Sequence, residues 1–338
     1  IEAKKADKAT AALDSAKAIT FQQCAEAYIA THREGWRNEK HAEQWTATLE
    51  AYAFPKIGKL PVRDVDVGHV LKVLEQKCDD LESKPTLWSG KTETASRVRG
   101  RVEAILDWAK VRQYRAGENP ARWRGNLEHS LPKQSKVRKV KHHAALPYVQ
   151  IGAFMQTLRG QQGTAARALE FLILTATRTS ETIGARWDEI NLDKELWTIP
   201  AERIKAGKEH RVPLSAPAMA ILKQQFKNRE GEFVFPGGKA RKPLSTNAML
   251  ALLERMERGD VTAHGFRSTF RDWTAERTNY ARDVAEMALA HTIGDKVEAA
   301  YRRGDLFDKR KRMMDDWAKF CATPAQKGEV VSMNRTKR

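Results

Sequence analysis

VTAHGFRSTFRDWTAERTNYARDVAEMALAHTIGDKVEAAY, residues 261–301, carries two imidazoles, a guanidinium and a phenol in His264, His291, Arg267 and Tyr301. Phe266, Phe270 and Trp273 recur at helical spacing, so His264 and Arg267, three apart, leave one side of a single helix and together can grip an anion. A second helix is predicted from Ala281 to Ala290, ending at His291, and a third after Gly294 carries Tyr301. Cutting a phosphodiester needs donors for the non-bridging oxygens, a base for the nucleophile and an acid for the leaving group. Successive helices here deliver all of these types.

Working outward, 338 residues suffice for two domains with their own cores. Lys and Arg outnumber Asp and Glu by 60 to 43, a net charge of +17. Such an excess concerns partners rather than fold, and nucleic acid is the first candidate; a merely soluble basic surface is the alternative. Cys24, Cys78 and Cys321 lie far apart with no CxxC pair, which indicates neither a disulfide framework nor a cysteine zinc site and fits a reducing cytoplasm. No apolar run approaches the length of a membrane span, and the first residues lack a signal-peptide core. The chain begins with Ile, which suggests a fragment of a longer protein.

From the N-terminus, residues 1–18 read as an Ala/Lys-rich linker or the remnant of a preceding domain. Thr20 with Gln23 forms a capping box for a helix whose apolar face is Phe21, Cys24, Ala25, Tyr28 and Ile29. A second helix is predicted from His41 to Ala53, stopped by a turn at Phe54-Pro55 and Lys59-Leu60-Pro61. Asp66 caps a third helix, with Val67, Val70, Leu71 and Leu74, and Thr94–Arg112 forms a fourth. The fourth has Val98, Val102, Ile105, Leu106 and Ala109 on one side and Arg97, Arg101 and Arg112 on the other, a face that either tracks phosphates or is simply solvated. Residues 19–125 thus read as a small all-α domain.

Residues 126–143 read as a basic linker, because LPKQSKVRKVKHH, residues 131–143, holds five Lys/Arg and no acid. Lys136, Arg138, Lys139 and Lys141 there are placed to lie against a duplex, or the segment is a plain tether. A second domain follows over residues 144–322, mainly α with a small antiparallel β-sheet. Its helices are predicted at Pro147–Leu158, Thr164–Ala176, Ser245–Met256 and Leu306–Cys321; Arg178 sits at a break between two helices, with Glu181 three residues on. Trp197–Pro200 and Arg211–Leu214 read as strands joined through a turn at Ala206-Gly207 beside Lys205, and Phe233–Gly238 as a third strand. The last helix, with Met313, Met314, Trp317 and Phe320, either folds back on its own domain or docks on a neighbouring protomer. Residues 323–338 form a basic tail.

RTSE at 178–181, Lys205 within IKAGKEHRVPL, HGFR at 264–267 and HTIGDKVEAAY at 291–301 occur in the order that defines the tyrosine recombinase (phage integrase) family, which the chain resembles over its whole second domain. The helical first domain resembles that family's core-binding domain. TASRVRGRVEAILDWAK and HGFRSTFRDWTAE look most like the prophage and genomic-island subgroup. No element is specific alone; the ordered set is. Ala176 and Ala290 depart from it, standing where the family usually has glycine; alanine suits those places if the backbone is helical but resists a positive φ.

The resemblance implies a site-specific DNA recombinase that cuts and rejoins DNA through a 3'-phosphotyrosyl bond. Tyr301 is then the nucleophile, His264 its base or proton shuttle, and Arg178 and Arg267 the donors to the non-bridging oxygens. His291 adds a further hydrogen bond, Lys205 protonates the leaving 5'-oxygen, and Glu181 orients Arg178 or His264. Two guanidiniums stand in for a divalent ion, so no metal or other cofactor is implied. The implied partners are double-stranded DNA attachment sites, a homo-tetramer on DNA, and accessory DNA-bending and excision factors; the implied location is the cytoplasm, at the nucleoid. The competing readings are a non-catalytic sequence-specific DNA-binding protein of the same fold, a metal-dependent nuclease using His264 and His291, and topoisomerase-like relaxation.

Overall fold

A computed structural model describes residues 19–36, 39–78, 86–137, 144–204, 206–229, 231–239, 241–291 and 304–323. The expected 1–18 linker and 323–338 tail, the helix after Gly294, and Lys205, Arg138, Lys139, Lys141 and Tyr301 lie wholly or almost wholly outside them, as does the side chain of Lys136. The chain divides into two compact units between residues 140 and 141.

In the first unit the capping box at Thr20 forms as expected: the Gln23 backbone N–H donates to the Thr20 hydroxyl and the Thr20 N–H to the Gln23 side chain, starting α1, Phe21–His32. Helix α2, Glu39–Thr48, continues through a wider π-helical stretch, Leu49–Gly58, instead of stopping at Phe54-Pro55. Proline in a regular helix clashes with the carbonyl four residues back and offers it no hydrogen; the wider turn accommodates both defects. The turn falls instead at Lys59-Leu60, where Pro61 bridges back to Thr20. Asp66 caps α3, Val67–Leu74, by accepting the His69 N–H at 2.8 Å. After α4, Leu87–Gly90, the long α5, Thr92–Val111, lays Val98, Val102, Ile105, Leu106 and Ala109 into a core shared with Phe21, Leu49, Ile57 and Leu74.

Two expectations for this unit fail. Arg101 does not face solvent: it is buried, its Nη1 donates to the Gln44 carbonyl at 2.6 Å and its guanidinium lies over the Trp45 ring, so it braces α5 against α2. The basic linker does not begin at 126. Leu127 and Leu131 are buried in this core, Trp88 donates to the Pro132 carbonyl at 2.9 Å, and Gln134–Val137 forms a short α6. Charge density outweighed, in that reading, two leucines spaced four apart that a nearby apolar surface captures.

In the second unit α7, Ile151–Arg159, packs on α8, Thr164–Thr175, which is the central helix and is buried over most of its length. The short α9, Thr179–Ile183, leads into a sheet of order β1-β2-β3: Ile190–Asn191, Leu196–Ile199 and His210–Pro213, antiparallel, with Leu196 opposite Pro213 and Ile199 opposite His210. The third strand is therefore Ile190–Asn191; Phe233 and Pro236 make only isolated bridges. A two-residue strand has too short a period to register in sequence. Helices α10 (Ala216–Lys227), α11 (Ala248–Arg255), α12 (Gly265–Arg277), α13 (Arg282–Ala288) and α14 (Phe307–Ala322) complete the unit. Of the two possibilities for the last helix, α14 packs on its own unit: Met313, Met314 and Trp317 enter the core, and the Trp317 indole donates to the Ile173 carbonyl at 2.8 Å. Among the described residues no helix is long and apolar enough to cross a membrane.

Candidate active site

His264 stands at the N-cap position of α12 and is exposed, while Arg267 in the first turn is buried. The glycine between them is required by a close crossing: a Cβ on Gly265 would lie 2.1 Å from the Ala144 carbonyl oxygen. The hydroxyl of Thr269, on the same helix, donates to Leu146 at 2.6 Å, so the first residues of this unit are stitched across α12.

Arg267 reaches from α12 into the gap between two chain reversals. Its Nη1 donates to the Ala176 carbonyl, at the end of α8, and its Nη2 to the Leu289 carbonyl, at the end of α13, each at 2.5 Å. Arg178 reaches the opposite way, its Nη2 donating to the Ala290 carbonyl at 3.1 Å. The two arginines thus cross-brace the two reversals. Ala176 and Ala290, which stand where glycine was expected, both adopt a left-handed backbone, with φ of 52° and 48°. The helical backbone that would have suited alanine is absent. At α13 this produces a Schellman closure, with the Ala290 N–H bonded to Met287 and the His291 N–H to Glu286. Left-handed alanine costs about 1–2 kcal/mol, sustained here by the arginine bonds that its carbonyl and its neighbours accept.

Glu181 holds Arg178 at both ends: one carboxylate oxygen accepts the Arg178 backbone N–H at 2.8 Å and the other accepts Nη1 at 2.7 Å. Burial first and then the Arg178 charge lower the Arg267 pKa, against the opposing pull of Glu181 and Glu286, to a net value of about 10. Arg267 stays protonated at neutral pH, so two cations are enclosed together. Bonds to described residues engage two of the five N–H donors on Arg178 and three of those on Arg267. Paired guanidiniums with donors left over make a site for an oxyanion, which they can bind through planar, charge-assisted bonds.

His291 joins the pair. Its Nε2 lies 3.2 Å from Arg267 Nη2, and its Nδ1 lies 2.7 Å from a carboxylate oxygen of Glu286. The other Glu286 oxygen accepts from Arg271 Nε at 2.8 Å. Burial pushes the Glu286 carboxyl up, but the bonds from His291 and Arg271 outweigh it and the net shift is downward. Sequence reading missed Glu286; its only signal was a carboxylate five residues before a histidine at a helix end.

His210 is a further titratable side chain, buried on β3. Burial, then the nearby Arg310, lowers its pKa to about 4; Glu181 and a bond to the Ala288 carbonyl act in the other direction. Lys205 and Tyr301 fall outside the described residues, but their flanks are anchored. Arg203 donates to the Glu181 carbonyl at 2.7 Å, and Asp305 binds Arg211 at 3.3 Å and the buried Arg310 at 2.7 Å. Tyr280 and Tyr148 are poor substitutes for a tyrosine nucleophile: burial and a bond to Asp316 push Tyr280 up to about 12, and a bond to Glu276 raises Tyr148. Among the described residues no group of three His, Cys, Asp or Glu side chains is gathered as metal ligands would be.

The description "Phage integrase central domain" matches residues 21–126, and "Phage integrase family" matches residues 145–305. Prophage integrase IntZ of Escherichia coli (strain K12) is 34% identical over 322 residues, covering 94% of this chain and 74% of that protein. The integrase of Enterobacteria phage P4 is 32% identical over 345 residues, covering 96% and 72%. Among solved structures, a lambda integrase tetramer bound to a Holliday junction superposes with a TM-score of 0.62 at 16% identity, covering 88% of this chain and 81% of that one, a likeness of fold.

Proposed function

The chain belongs to the phage integrase family, and from that premise we propose how its residues divide the work of cutting and rejoining DNA. It is a site-specific DNA recombinase of the tyrosine class, serving the integration or excision of a prophage or genomic island. The observation that carries the assignment of roles is the enclosed Arg178–Arg267 pair with His291 at its edge.

The two guanidiniums hold the non-bridging oxygens of the scissile phosphate, where negative charge grows as the fifth ligand approaches phosphorus. Tyr301 attacks phosphorus, its phenolic oxygen forming the 3'-phosphotyrosyl bond while the bond to the 5'-oxygen breaks. A free phenol has a pKa near 10 and needs a base, a role given to His264, at the exposed start of α12. Lys205 protonates the departing 5'-oxygen. Glu181 keeps Arg178 in place, and His291 adds a hydrogen bond to the same phosphate oxygens. The phosphotyrosyl bond retains the energy of the broken phosphodiester, so a 5'-hydroxyl can reverse the step without ATP.

Double-stranded attachment-site DNA is the substrate, and the net charge of +17 supports attraction to it. We assign phosphate contacts to Arg97, which is exposed and paired only with Glu93 among the described residues, and to Lys136, Arg138, Lys139 and Lys141. A tetramer on DNA, assisted by bending and excision factors, is the assembly proposed. The test is covalent trapping on a nicked duplex. The wild-type chain is expected to form a DNA adduct that survives denaturation, and Tyr301→Phe none; no adduct with wild type on any attachment-site duplex leaves the DNA-binding protein as the better reading.

A further inference from the structure

The imidazole of His291 has two edges, and the structure fixes what each one faces. Nδ1 faces Glu286 at 2.7 Å and Nε2 faces Arg267 at 3.2 Å. Arg267 can only donate and an ionised carboxylate can only accept, so the ring carries its proton on Nδ1 and turns the Nε2 lone pair toward the arginine pair. Glu286 is held in turn. Arg271 Nε donates to its other oxygen at 2.8 Å, Arg282 lies at 3.9 Å, and the backbone of α13 closes from His291 onto the Glu286 carbonyl at 3.0 Å. Side chain and main chain of the same residue therefore both grip His291, which is itself half exposed toward the site.

We propose that Glu286 is a positioning residue for strand cleavage: it sets the tautomer and orientation of His291 so that Nε2, and not Nδ1, meets the phosphate held by Arg178 and Arg267. This rests on the recombinase reading and on the place of His291 within it. Glu286 has a second consequence. A proton on Nε2, needed whenever His291 donates to phosphate, adds a third cation beside two guanidiniums, and the carboxylate supplies the opposing charge from the far side of the ring.

The isosteric Glu286→Gln separates this role from a structural one. Arg271 can only donate, so it keeps the amide oxygen on its own side and turns the amide NH2 toward Nδ1. That forces the ring proton onto Nε2, against the Arg267 donor. In 15N-histidine spectra of the full chain at alkaline pH, assigned with His291→Asn, wild type is expected to show the Nδ1–H form, Glu286→Gln the Nε2–H form and Glu286→Ala a mixture. In Glu286→Gln the amide NH2 opposes a proton on Nδ1, so the doubly protonated ring that donates most strongly to phosphate is lost; single-turnover cleavage of a nicked duplex should fall about 10- to 100-fold in Glu286→Gln and less in Glu286→Ala, with duplex Kd unchanged. A merely structural glutamate gives the opposite ranking, since glutamine fills its space and alanine does not. Equal tautomers in wild type and Glu286→Gln, or cleavage by Glu286→Gln as fast as wild type, overturns the proposal. Absence of any adduct from wild type sinks the recombinase reading instead and leaves the tautomer measurement standing.

Discussion

Arg101 in the first unit and Arg267 in the second are buried almost equally, 7% and 5% exposed, and each bonds backbone carbonyls of its own unit. Burial lowers both pKa values, and a neighbouring arginine lowers them further. The neighbours differ. Arg97, beside Arg101, points into solvent and is paired with Glu93, so its charge is screened. Arg178, beside Arg267, is itself mostly enclosed, and its one carboxylate partner also serves its backbone. A buried arginine with a carbonyl and an aromatic ring is a brace. A buried arginine beside a second, mostly enclosed one, with donors that no described residue engages, makes a site for an anion, which offsets their repulsion.

The contrast breaks most directly at those two arginines. Arg267→Ala should lower single-turnover cleavage by ~10³ or more, since it removes a transition-state donor and two loop anchors together. Arg101→Met should instead lower unfolding stability by about 1–3 kcal/mol and leave the cleavage rate within about threefold, because it orphans one carbonyl far in sequence from the site. A folded Arg101→Met that binds duplex normally yet cannot cleave would erase the distinction.

His210 sharpens it through pH. Its folded pKa, about 4, lies below the ordinary value of 6.5. Above pH 6.5 the ring is neutral folded or unfolded and the stabilising contribution is fully present. As pH falls toward 4 the unfolded chain binds a proton that the folded chain refuses, and stability is lost. Between pH 7 and pH 5 the loss should be about 2 kcal/mol. Urea titrations at the two pH values should show that decrement in wild type and its absence in His210→Gln.

The smallest effect concerns the left-handed alanines. Ala176→Gly and Ala290→Gly should each raise stability by about 0.5–1 kcal/mol, relief of backbone strain exceeding the added freedom of the unfolded chain. The same change at Ala109 or Ala285, within regular helices, should lower it by about 1 kcal/mol. Thermal melts of the four variants decide whether the sign follows φ.

Much of this chain is legible locally. The caps at Thr20 and Asp66, the helix holding Phe266, Phe270 and Trp273, and the break at Arg178 depend on residues within one or two turns of each other. Pro55 misled because the wide turn that accepts it is an exception to a sound rule. Arg101 misled because helical spacing assigns a residue to a face but does not say whether another helix covers that face.

The order of RTSE, HGFR and HTIGDKVEAAY was fixed by the sequence alone, and with it the family and the kind of chemistry, because the types of donor, base and nucleophile are written in residue identity. Only the folded chain decided that Arg267 ties both reversals together while Arg178 reaches across to the one at 289–290, that both alanines are left-handed, and that Glu286 chooses the edge His291 presents. Each of these joins elements distant in sequence or depends on a backbone angle, and no local pattern encodes which carbonyl, cation or carboxylate will arrive across the gap.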